Sequence, residues 1–371
     1  MPSDPLRTRL CDEYGCEYPI IGFAHTKDVV AAVTNAGGIG VYGANSLTPE
    51  QIQSDVRWIK ERVGDRPFGV DLLLSASYIE GTPEDLEAQI PQGHIDFVDR
   101  VMEEHGIPDP KTPGPWRQER VDLLRKARAK FDVIKAEQVP IFASGMGSPA
   151  FILDELHDAG IKVWGLIGLA RQARRELEQG LDLIVAQGQD SGGHTGRMGT
   201  FSLVREVTEI AKDYDTPILA AGGVTTGAHI VAALALGASG VWCGTIWQTT
   251  HESETSMAKK QKLLDSGNQD AWVSEAIDGK RMRVIRGAFL DVFDAPDAPP
   301  PLAMPLQGML LGKLEQAVED HQVYDWLRIP AGQGVGFVTE MKPARQALLD
   351  LVEEARDSLD WMGFDPPDDE E

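Results

Sequence analysis

The sequence predicts a (β/α)8 barrel, also called a TIM barrel. Three observations favour this fold class. Short apolar runs alternate with helix-like segments, and eight such strand–helix units can be counted in the 371-residue chain. Several of the runs end in paired glycines, and no Gly-x-Gly-x-x-Gly motif follows the first run. An open doubly wound sheet is the alternative architecture, and the count of eight favours the barrel over it.

The predicted strands are short apolar runs that are bounded by glycine, proline or polar residues. They cover residues 18–23, 39–42, 67–74, 139–144, 161–167, 183–186, 217–223 and 237–245. Helical spacing of apolar residues follows most of them, at 27–36, 48–63, 118–137, 148–160, 169–180, 201–214 and 227–236. Signals at helix ends agree with these bounds, since Thr48 and Pro49 suit an N-cap and a first helical position, and glycines 37 and 38 suit a helix end.

Two segments depart from this alternation. Residues 75–116 are polar and proline-rich, and they are longer than a normal connection, so we expect an insertion with one helix at 95–105 that acts as a lid or a dimer contact. After residue 252 the alternation stops. Helices are expected at 257–266, 306–323 and 342–360, with irregular chain at 268–301.

These departures suggest a division of the chain. We expect a barrel at 1–255, a C-terminal helical extension at 256–363 that packs on the barrel or caps its mouth, and a disordered acidic tail at 364–371.

Composition limits the functions that the chain can have. The formal net charge of -23 argues against nucleic acid or an anionic membrane as a partner. Three cysteines in a long chain indicate a reducing compartment, and Cys11 and Cys16 have no second pair to complete a zinc site. The N-terminus does not resemble a signal peptide, and no apolar run is long enough to span a bilayer. We therefore expect a cytoplasmic protein.

Paired glycines at three neighbouring strand ends indicate a ligand site. In a TIM barrel the loops after strands seven and eight often hold a phosphate group through backbone N–H groups. Gly222-Gly223 and Gly244-Thr245 occupy those two places, and Gly192-Gly193 follows the sixth strand. Glycine allows close approach of a ligand to the backbone, and Thr245 adds a hydroxyl. A phosphorylated planar cofactor across the mouth suits this pattern, whereas glycines that merely end strands are the simpler alternative.

His194 is the best candidate for a general base, because imidazole exchanges protons near neutral pH. His25, which follows the first strand, is a second candidate for a catalytic or substrate contact. No set of side chains has the spacing of metal ligands, and no Ser–His–Asp or Cys–His set is evident. We interpret Cys243 as a small packed residue rather than a nucleophile.

Several motifs now carry a resemblance to a known family. They lie at residues 6–11, at 31–40 (Ala-Ala-Val-Thr-Asn-Ala-Gly-Gly-Ile-Gly), at 186–196 (Ala-Gln-Gly, then Ser-Gly-Gly-His-Thr-Gly), at 220–224, 233–238 and 244–245, and at 331–336 (Ala-Gly-Gln-Gly-Val-Gly). With these motifs the sequence resembles the nitronate monooxygenases, formerly called 2-nitropropane dioxygenases, which are FMN-dependent TIM-barrel enzymes. The 186–196 motif is the most specific of the set.

The resemblance implies a cofactor site and a reaction. His194 is expected to remove the α-proton of a nitroalkane or to bind the nitronate anion. The nitronate reacts with FMN and O2 to give a carbonyl compound and nitrite. The residues expected at FMN are Gly22, Phe23, Ala24, Asp71, Gln187, Gly192, Gly193, Gly222, Gly223, Trp242, Cys243, Gly244 and Thr245.

Three departures from the family pattern leave the substrate open. Residues 22–25 read Gly-Phe-Ala-His where the family usually has Ala-Pro-Met, Asp71 stands where it usually has Asn, and Asp190-Ser191 precedes the diglycine. The last change resembles the flavin-type enoyl-acyl-carrier-protein reductases, and NAD(P)H:quinone reductases share the same motifs. An NAD(P)H-dependent flavin reductase is therefore the alternative function, and a flavin-binding protein without catalysis is a third.

Overall fold

The computed structural model describes residues 4–74, 82–111 and 123–363. Eight parallel strands form a closed barrel in the order β1-β2-β3-β4-β5-β6-β8-β9, so the predicted fold class is confirmed. Their bounds are β1 Ile20–Ala24, β2 Ile39–Gly43, β3 Phe68–Leu73, β4 Ile141–Gly145, β5 Lys162–Ile167, β6 Leu183–Gln187, β8 Ile218–Ala221 and β9 Gly240–Cys243. A separate antiparallel sheet has the order β10-β11-β7, with β7 Gly193–His194, β10 Ala271–Ser274 and β11 Met282–Ile285.

The helices of the barrel lie outside the strands. They are α2 Lys27–Asn35, α3 Pro49–Val63, α6 Leu123–Ala136, α7 Leu153–Asp158, α8 Ala170–Gln179, α9 Thr200–Ala211, α10 Gly227–Ala235 and the short α11 Thr245–Gln248. Helix α3 begins as the sequence predicts, because Thr48 and Gln51 form a capping box and Pro49 occupies the first turn. Helix α1, Arg9–Tyr14, precedes the barrel and contributes Leu10 and Cys11 to its inner core.

Residues alternate between the inside and the outside of the barrel along each strand, because successive side chains point to opposite faces. Ile21, Val41 and Trp164 belong to the core inside the barrel. Ile20 and Val70 belong to the core between strands and helices. This alternation decides which side chains can reach the mouth, by which we mean the opening formed by the carboxyl ends of the eight strands.

The inserted segment and the chain after the barrel share a second hydrophobic core. The described part of the insertion contains α4 Pro83–Glu87 and α5 Gln92–Glu104, and α5 begins three residues before the predicted helix. The chain after the barrel adds α12 Met257–Leu264, α13 Ala288–Phe293 and α14 Leu306–His321. This second core includes Leu86, Val98, Val101, Met102, Leu263, Phe289, Met309, Leu314, Ile329 and Val335.

The prediction of irregular chain at 268–301 is wrong for three stretches, since β10, β11 and α13 lie within it. The two strands have only four residues each, which is too few for a two-residue repeat of apolar side chains to be recognised in the sequence. The predicted helices near 257–266, 306–323 and 342–360 are present as α12, α14 and α15, the last at Ala344–Trp361. The predicted helix at 118–137 begins outside the described residues, and the acidic tail lies outside them entirely.

Helix α15 packs on the barrel rather than in the second core, because Leu348 and Leu351 belong to the core between strands and helices. The contact with α10 is close. A Cβ atom added at Gly227 would lie 2.0 Å from the backbone nitrogen of Ala355, and the Gly227 N–H donates to Glu354 Oε2 at 2.8 Å. No helix among the described residues is long and apolar enough to cross a membrane.

The substitution Gly227→Ala tests this packing. We expect it to lower the free energy of unfolding by about 1–3 kcal/mol, because the added methyl group meets backbone that has no room to move without displacing α15. Chemical denaturation followed by circular dichroism measures the change. The matched control is Gly93→Ala in α5, where nothing lies within 4 Å of the added atom. An equal effect of the two substitutions would contradict the close contact.

Candidate active site

Four of the predicted site residues point into the barrel at its mouth. Phe23 and Trp242 belong to the inner core or pack against it, and their rings stack with centroids 5.6 Å apart. Asp71 lies between the outward-facing Val70 and Leu72, so it points inward. Gln187, which follows the outward-facing Ala186 in β6, points inward for the same reason.

Three other predicted residues also lie in strands, but they face away from the interior of the barrel. A Cβ atom at Gly22 would lie 2.9 Å from Val33 Cγ1 on α2, so this glycine accommodates a helix. Ala24 and Cys243 belong to the core between strands and helices, and burial raises the pKa of the Cys243 thiol to about 12. The structure therefore supports Cys243 as a packed residue. Any contact of these three residues with a ligand at the mouth has to come from the main chain.

The glycines after β8 and β9 leave backbone donors available. Gly222 and Gly223 have positive φ angles of 106° and 76°, which favour glycine. Within the described residues, the N–H groups of Gly222, Gly223 and Gly244 donate to no backbone acceptor. A Cβ atom at Gly244 would have no neighbour closer than Phe23 at 4.0 Å, so the space beside it is open. Such unpaired donors at strand ends are suited to an anion such as a phosphate group.

The glycines after β6 have a different role, since they meet the segment at 330–336. A Cβ atom at Gly192 would lie 2.7 Å from the carbonyl carbon of Ala331. The Gly332 N–H donates to Thr245 Oγ1 at 2.8 Å, and the Gln333 N–H donates to the Asp190 carbonyl at 2.8 Å. The 331–336 motif is thus part of the mouth, although it is far from the barrel in sequence. The Thr245 hydroxyl accepts this bond and retains its own hydrogen for a second partner.

Asp190 and Ser191, where the sequence departs from the family pattern, both have structural partners. Asp190 Oδ2 accepts from the Thr200 N–H at the start of α9, at 2.9 Å. Gln187 Nε2 donates to Ser191 Oγ at 3.1 Å and to the carbonyl of His194 at 2.8 Å. These residues therefore shape the loop between β6 and β7. Gln187, expected at the cofactor, is also a support for that loop.

His194 lies on β7, not in a loop, and pairs with the post-barrel strand β11 in the register Met282 to His194. Its Nε2 atom is in hydrogen-bond contact with Asp278 Oδ2. The Asp278 side chain is buried, with 7% of the residue exposed. Sequence reasoning missed Asp278, because it lies 84 residues from His194 in a stretch without a recognisable motif. The sequence alone does not show that this aspartate pairs with the predicted base, because only the fold brings the two residues together.

His25 lies at the end of β1, on the rim of the mouth. Its Nδ1 atom is 2.9 Å from the Gly43 carbonyl, and its ring meets Phe23 edge-on at 5.1 Å. The carbonyl can only accept, so Nδ1 carries a hydrogen, and in the neutral ring Nε2 has a free lone pair. This arrangement leaves His25 able to accept a hydrogen bond from a ligand. It does not connect His25 with His194.

Asp71 is the most unusual polar group at the mouth. It is buried, and its Oδ2 atom has no hydrogen-bond partner among the described residues. Removal from water disfavours the charged form, and this burial raises the pKa of Asp71 to about 7. Neutral and unpartnered groups of this kind are rare in folded proteins unless a ligand completes them. Around neutral pH the carboxyl group can both donate and accept a hydrogen bond.

The fold and the mouth define a TIM-barrel enzyme, with open backbone donors after β8 and β9 and, after β6, a partly buried histidine that contacts the buried Asp278 of the post-barrel chain. The family model for nitronate monooxygenase matches residues 7–354, so the chain belongs to the nitronate monooxygenase family and is an oxidoreductase.

Relatives are similar over nearly the whole chain. A candidate monooxygenase of Mycobacterium tuberculosis, Rv1533, is 40% identical over 370 residues, which covers 95% of this chain and 98% of the relative. A protein of Staphylococcus saprophyticus that is named as a probable nitronate monooxygenase is 27% identical, with coverage of 95% and 99%.

Two solved structures are also similar. FabK of Thermotoga maritima superimposes with a TM-score of 0.73 at 27% identity and covers 96% of this chain and 98% of its own. A nitroalkane oxidase of Streptomyces ansochromogenes superimposes with a TM-score of 0.79 at 24% identity, with coverage of 95% and 99%. The second likeness bears on the fold alone.

The mouth fits the flavin that the family resemblance implies. A flavin nucleotide carries a phosphate group, which suits the unpaired N–H groups of Gly222, Gly223 and Gly244. It also has a ring system with polar edges, which suits the unpartnered oxygen of Asp71. Within the described residues, no group of His, Cys, Asp and Glu side chains has the arrangement of a metal site.

The substitution Asp71→Asn tests the burial of this carboxyl group in the cofactor-free protein. The folded-state pKa of about 7 lies above the ordinary 3.8, so the folded protein holds the proton more tightly and loses stability as pH rises from about 4 through 7. The loss at pH 8 reaches at most about 4 kcal/mol. Asparagine cannot ionise and should remove this loss.

Urea denaturation of both proteins at pH 5 and pH 8 measures the difference. We expect Asp71→Asn to gain stability relative to wild type at pH 8. Parallel changes with pH in the two proteins would show that Asp71 is ordinarily ionised.

Proposed function

We propose that the chain is an FMN-dependent nitronate monooxygenase that uses O2 to convert alkyl nitronates into a carbonyl compound and nitrite. The observation that carries the proposal is the position of His194. It lies seven residues after the end of β6, in a segment whose Ser191 main chain lies close to Gly222, and its ring is in contact with a buried carboxylate. A proton-transfer group next to a phosphate-suited cradle is what a flavin oxidation of a carbon acid requires.

Each part of the mouth has a role in this proposal. The N–H groups of Gly222, Gly223 and Gly244, with the Thr245 hydroxyl, hold the phosphate of FMN. The inward-facing Asp71 and Gln187 offer hydrogen bonds to its polar edges. When bound, FMN supplies the electron transfer between the nitronate and O2.

His194 works on the substrate side of the site. For a neutral nitroalkane, the α C–H bond breaks, its proton moves to the imidazole, and its electron pair remains on the nitronate. For a substrate that arrives as the nitronate, the protonated imidazole binds the anion. The rings of Phe23 and Trp242 exclude water from the inner side of the mouth. His25 on the rim is a further proposed substrate contact. We propose that the enzyme works in the cytoplasm.

The decisive experiment is the absorption spectrum of the purified protein, first with NAD(P)H under anaerobic conditions and then with propionate 3-nitronate or a simple alkyl nitronate in air. We expect a flavin spectrum, oxygen consumption and nitrite formation. His194→Ala should keep the flavin and lose roughly 100-fold or more of the turnover of a neutral nitroalkane. Flavin-loaded protein that forms no nitrite would refute the proposal. Rapid bleaching by NAD(P)H would instead favour the reductase of an enoyl thioester or a quinone.

The phosphate cradle has its own test in Gly244→Val. The φ of Gly244 is -124°, outside the left-handed region that favours glycine, and an added Cβ atom would have no neighbour closer than Phe23 at 4.0 Å. We therefore expect an unchanged melting temperature of the cofactor-free protein and an affinity for FMN that is at least tenfold lower. Gly199→Ala is the control, since nothing lies within 4 Å of its added atom and its φ is -61°. Full FMN content in Gly244→Val would remove this residue from the cradle.

A further inference from the structure

The backbone of His194 is held from two sides. The Gln187 side chain donates to the His194 carbonyl at 2.8 Å. On the other side, the Thr195 N–H donates to the Arg281 carbonyl at 3.1 Å, next to the pairing of β7 with β11. The main chain at His194 is therefore fixed by both the barrel and the post-barrel sheet. Only rotation about its side-chain bonds remains, and the contact with Asp278 restricts that rotation.

Asp278 is itself fixed by its surroundings. Its Oδ1 atom accepts from the Lys280 N–H at 3.0 Å, while Oδ2 meets His194 Nε2. A carboxylate that is buried to this degree is stable only when donors surround it. His194 and the Lys280 main chain supply two of these donors. The carboxylate can only accept, so the imidazole nitrogen that faces it carries a hydrogen.

The turn that carries Asp278 is tied to the second core. The Gly279 N–H donates to the Glu275 carbonyl at 2.9 Å, and Gln307 Nε2 on α14 donates to the Ala276 carbonyl at 2.7 Å. A Cβ atom at Gly279 would lie 2.1 Å from the carbonyl oxygen of Leu302. The turn therefore cannot shift without displacing the segment before α14. These contacts give the carboxylate a fixed direction.

We infer that Asp278 is the positioning residue of His194: its carboxylate holds the Nε2–H group of the imidazole and leaves Nδ1 as the basic nitrogen that faces the substrate. The inference rests on the proposed role of His194 as the base. When the α C–H bond of a nitroalkane breaks, its proton moves to Nδ1 and its electron pair stays on the nitronate. The Nε2–H group remains on the carboxylate, which stabilises the imidazolium ion that forms.

The tautomer can be observed without turnover. The chain has eight histidines, so the flavin-loaded protein with ¹⁵N-labelled histidine gives a tractable spectrum, in which His194→Gln identifies the His194 signals. We expect a protonated Nε2 and an unprotonated Nδ1 in the neutral ring. Asp278→Asn should change this pattern to the other tautomer or to a mixture, because an amide can also donate. An Nδ1–H tautomer in the wild-type protein would overturn the inference, and this measurement does not depend on how the variant folds.

The kinetic test uses Asp278→Asn with a neutral nitroalkane and with its preformed nitronate. We expect kcat for the nitroalkane to fall roughly 10–100-fold with little change in KM. Turnover of the preformed nitronate, which needs no proton removal, should fall much less. The matched control is Asp291→Asn in the same region, an exposed residue that forms an ion pair with Arg286 at 2.8 Å. We expect the control to behave as wild type in both assays.

The outcomes separate the two proposals. An altered tautomer in Asp278→Asn, in a protein that forms no nitrite from any nitronate, would refute the monooxygenase function and retain the positioning role. Nitrite formation with the same tautomer in wild type and Asp278→Asn would retain the function and refute the role. Equal loss of activity on nitroalkane and preformed nitronate, with an unchanged tautomer, would also refute it, since it indicates a general structural effect.

Discussion

The close approach of residues 330–336 to the loop after β6 is the contact on which the rest of the mouth depends. Gly192 has no room for a side chain because the main chain of Ala331 lies against it. In the same segment, the Gly332 N–H donates to Thr245 Oγ1 and the Gln333 N–H donates to the Asp190 carbonyl. One stretch of post-barrel chain thereby links the ends of β6 and β9. The barrel supplies the strand ends, and this stretch fixes their relative positions.

Two buried carboxyl groups at this mouth face different surroundings and so have different properties. Asp71 has an oxygen without a partner, and burial raises its pKa to about 7. Asp278 has the His194 ring and the Lys280 main chain as partners. Asp71 is therefore suited to form a hydrogen bond with a ligand, whereas Asp278 is suited to hold the neighbouring imidazole ring.

Much of this arrangement can be predicted from the sequence, because it follows from local patterns. Alternation of apolar runs and helices predicts eight strands, and paired glycines mark the strand ends that form the mouth. The inward direction of Asp71 and the outward direction of Cys243 also follow from the sequence, because side chains alternate between the two faces of a strand. They can be assigned once one residue of each strand is known to face inward or outward. Asp278 could not be predicted, because it lies 84 residues from His194, and only the pairing of β11 with β7 brings the two residues together. The strands β10 and β11 were missed for a related reason, as pairing rather than periodicity defines them.

The position of Asp278 also explains why the insertion and the post-barrel chain matter to the barrel. The turn at Asp278 is bonded to α14 through Gln307, and α14 packs in the second core with α4 and α5 of the insertion. The direction of the carboxylate therefore depends on a core that lies outside the barrel. Because β11 pairs with β7, the backbone position of His194 also depends on the chain that follows the barrel. A barrel alone could place the histidine at a strand end, but the orientation of its ring is set by the chain that follows.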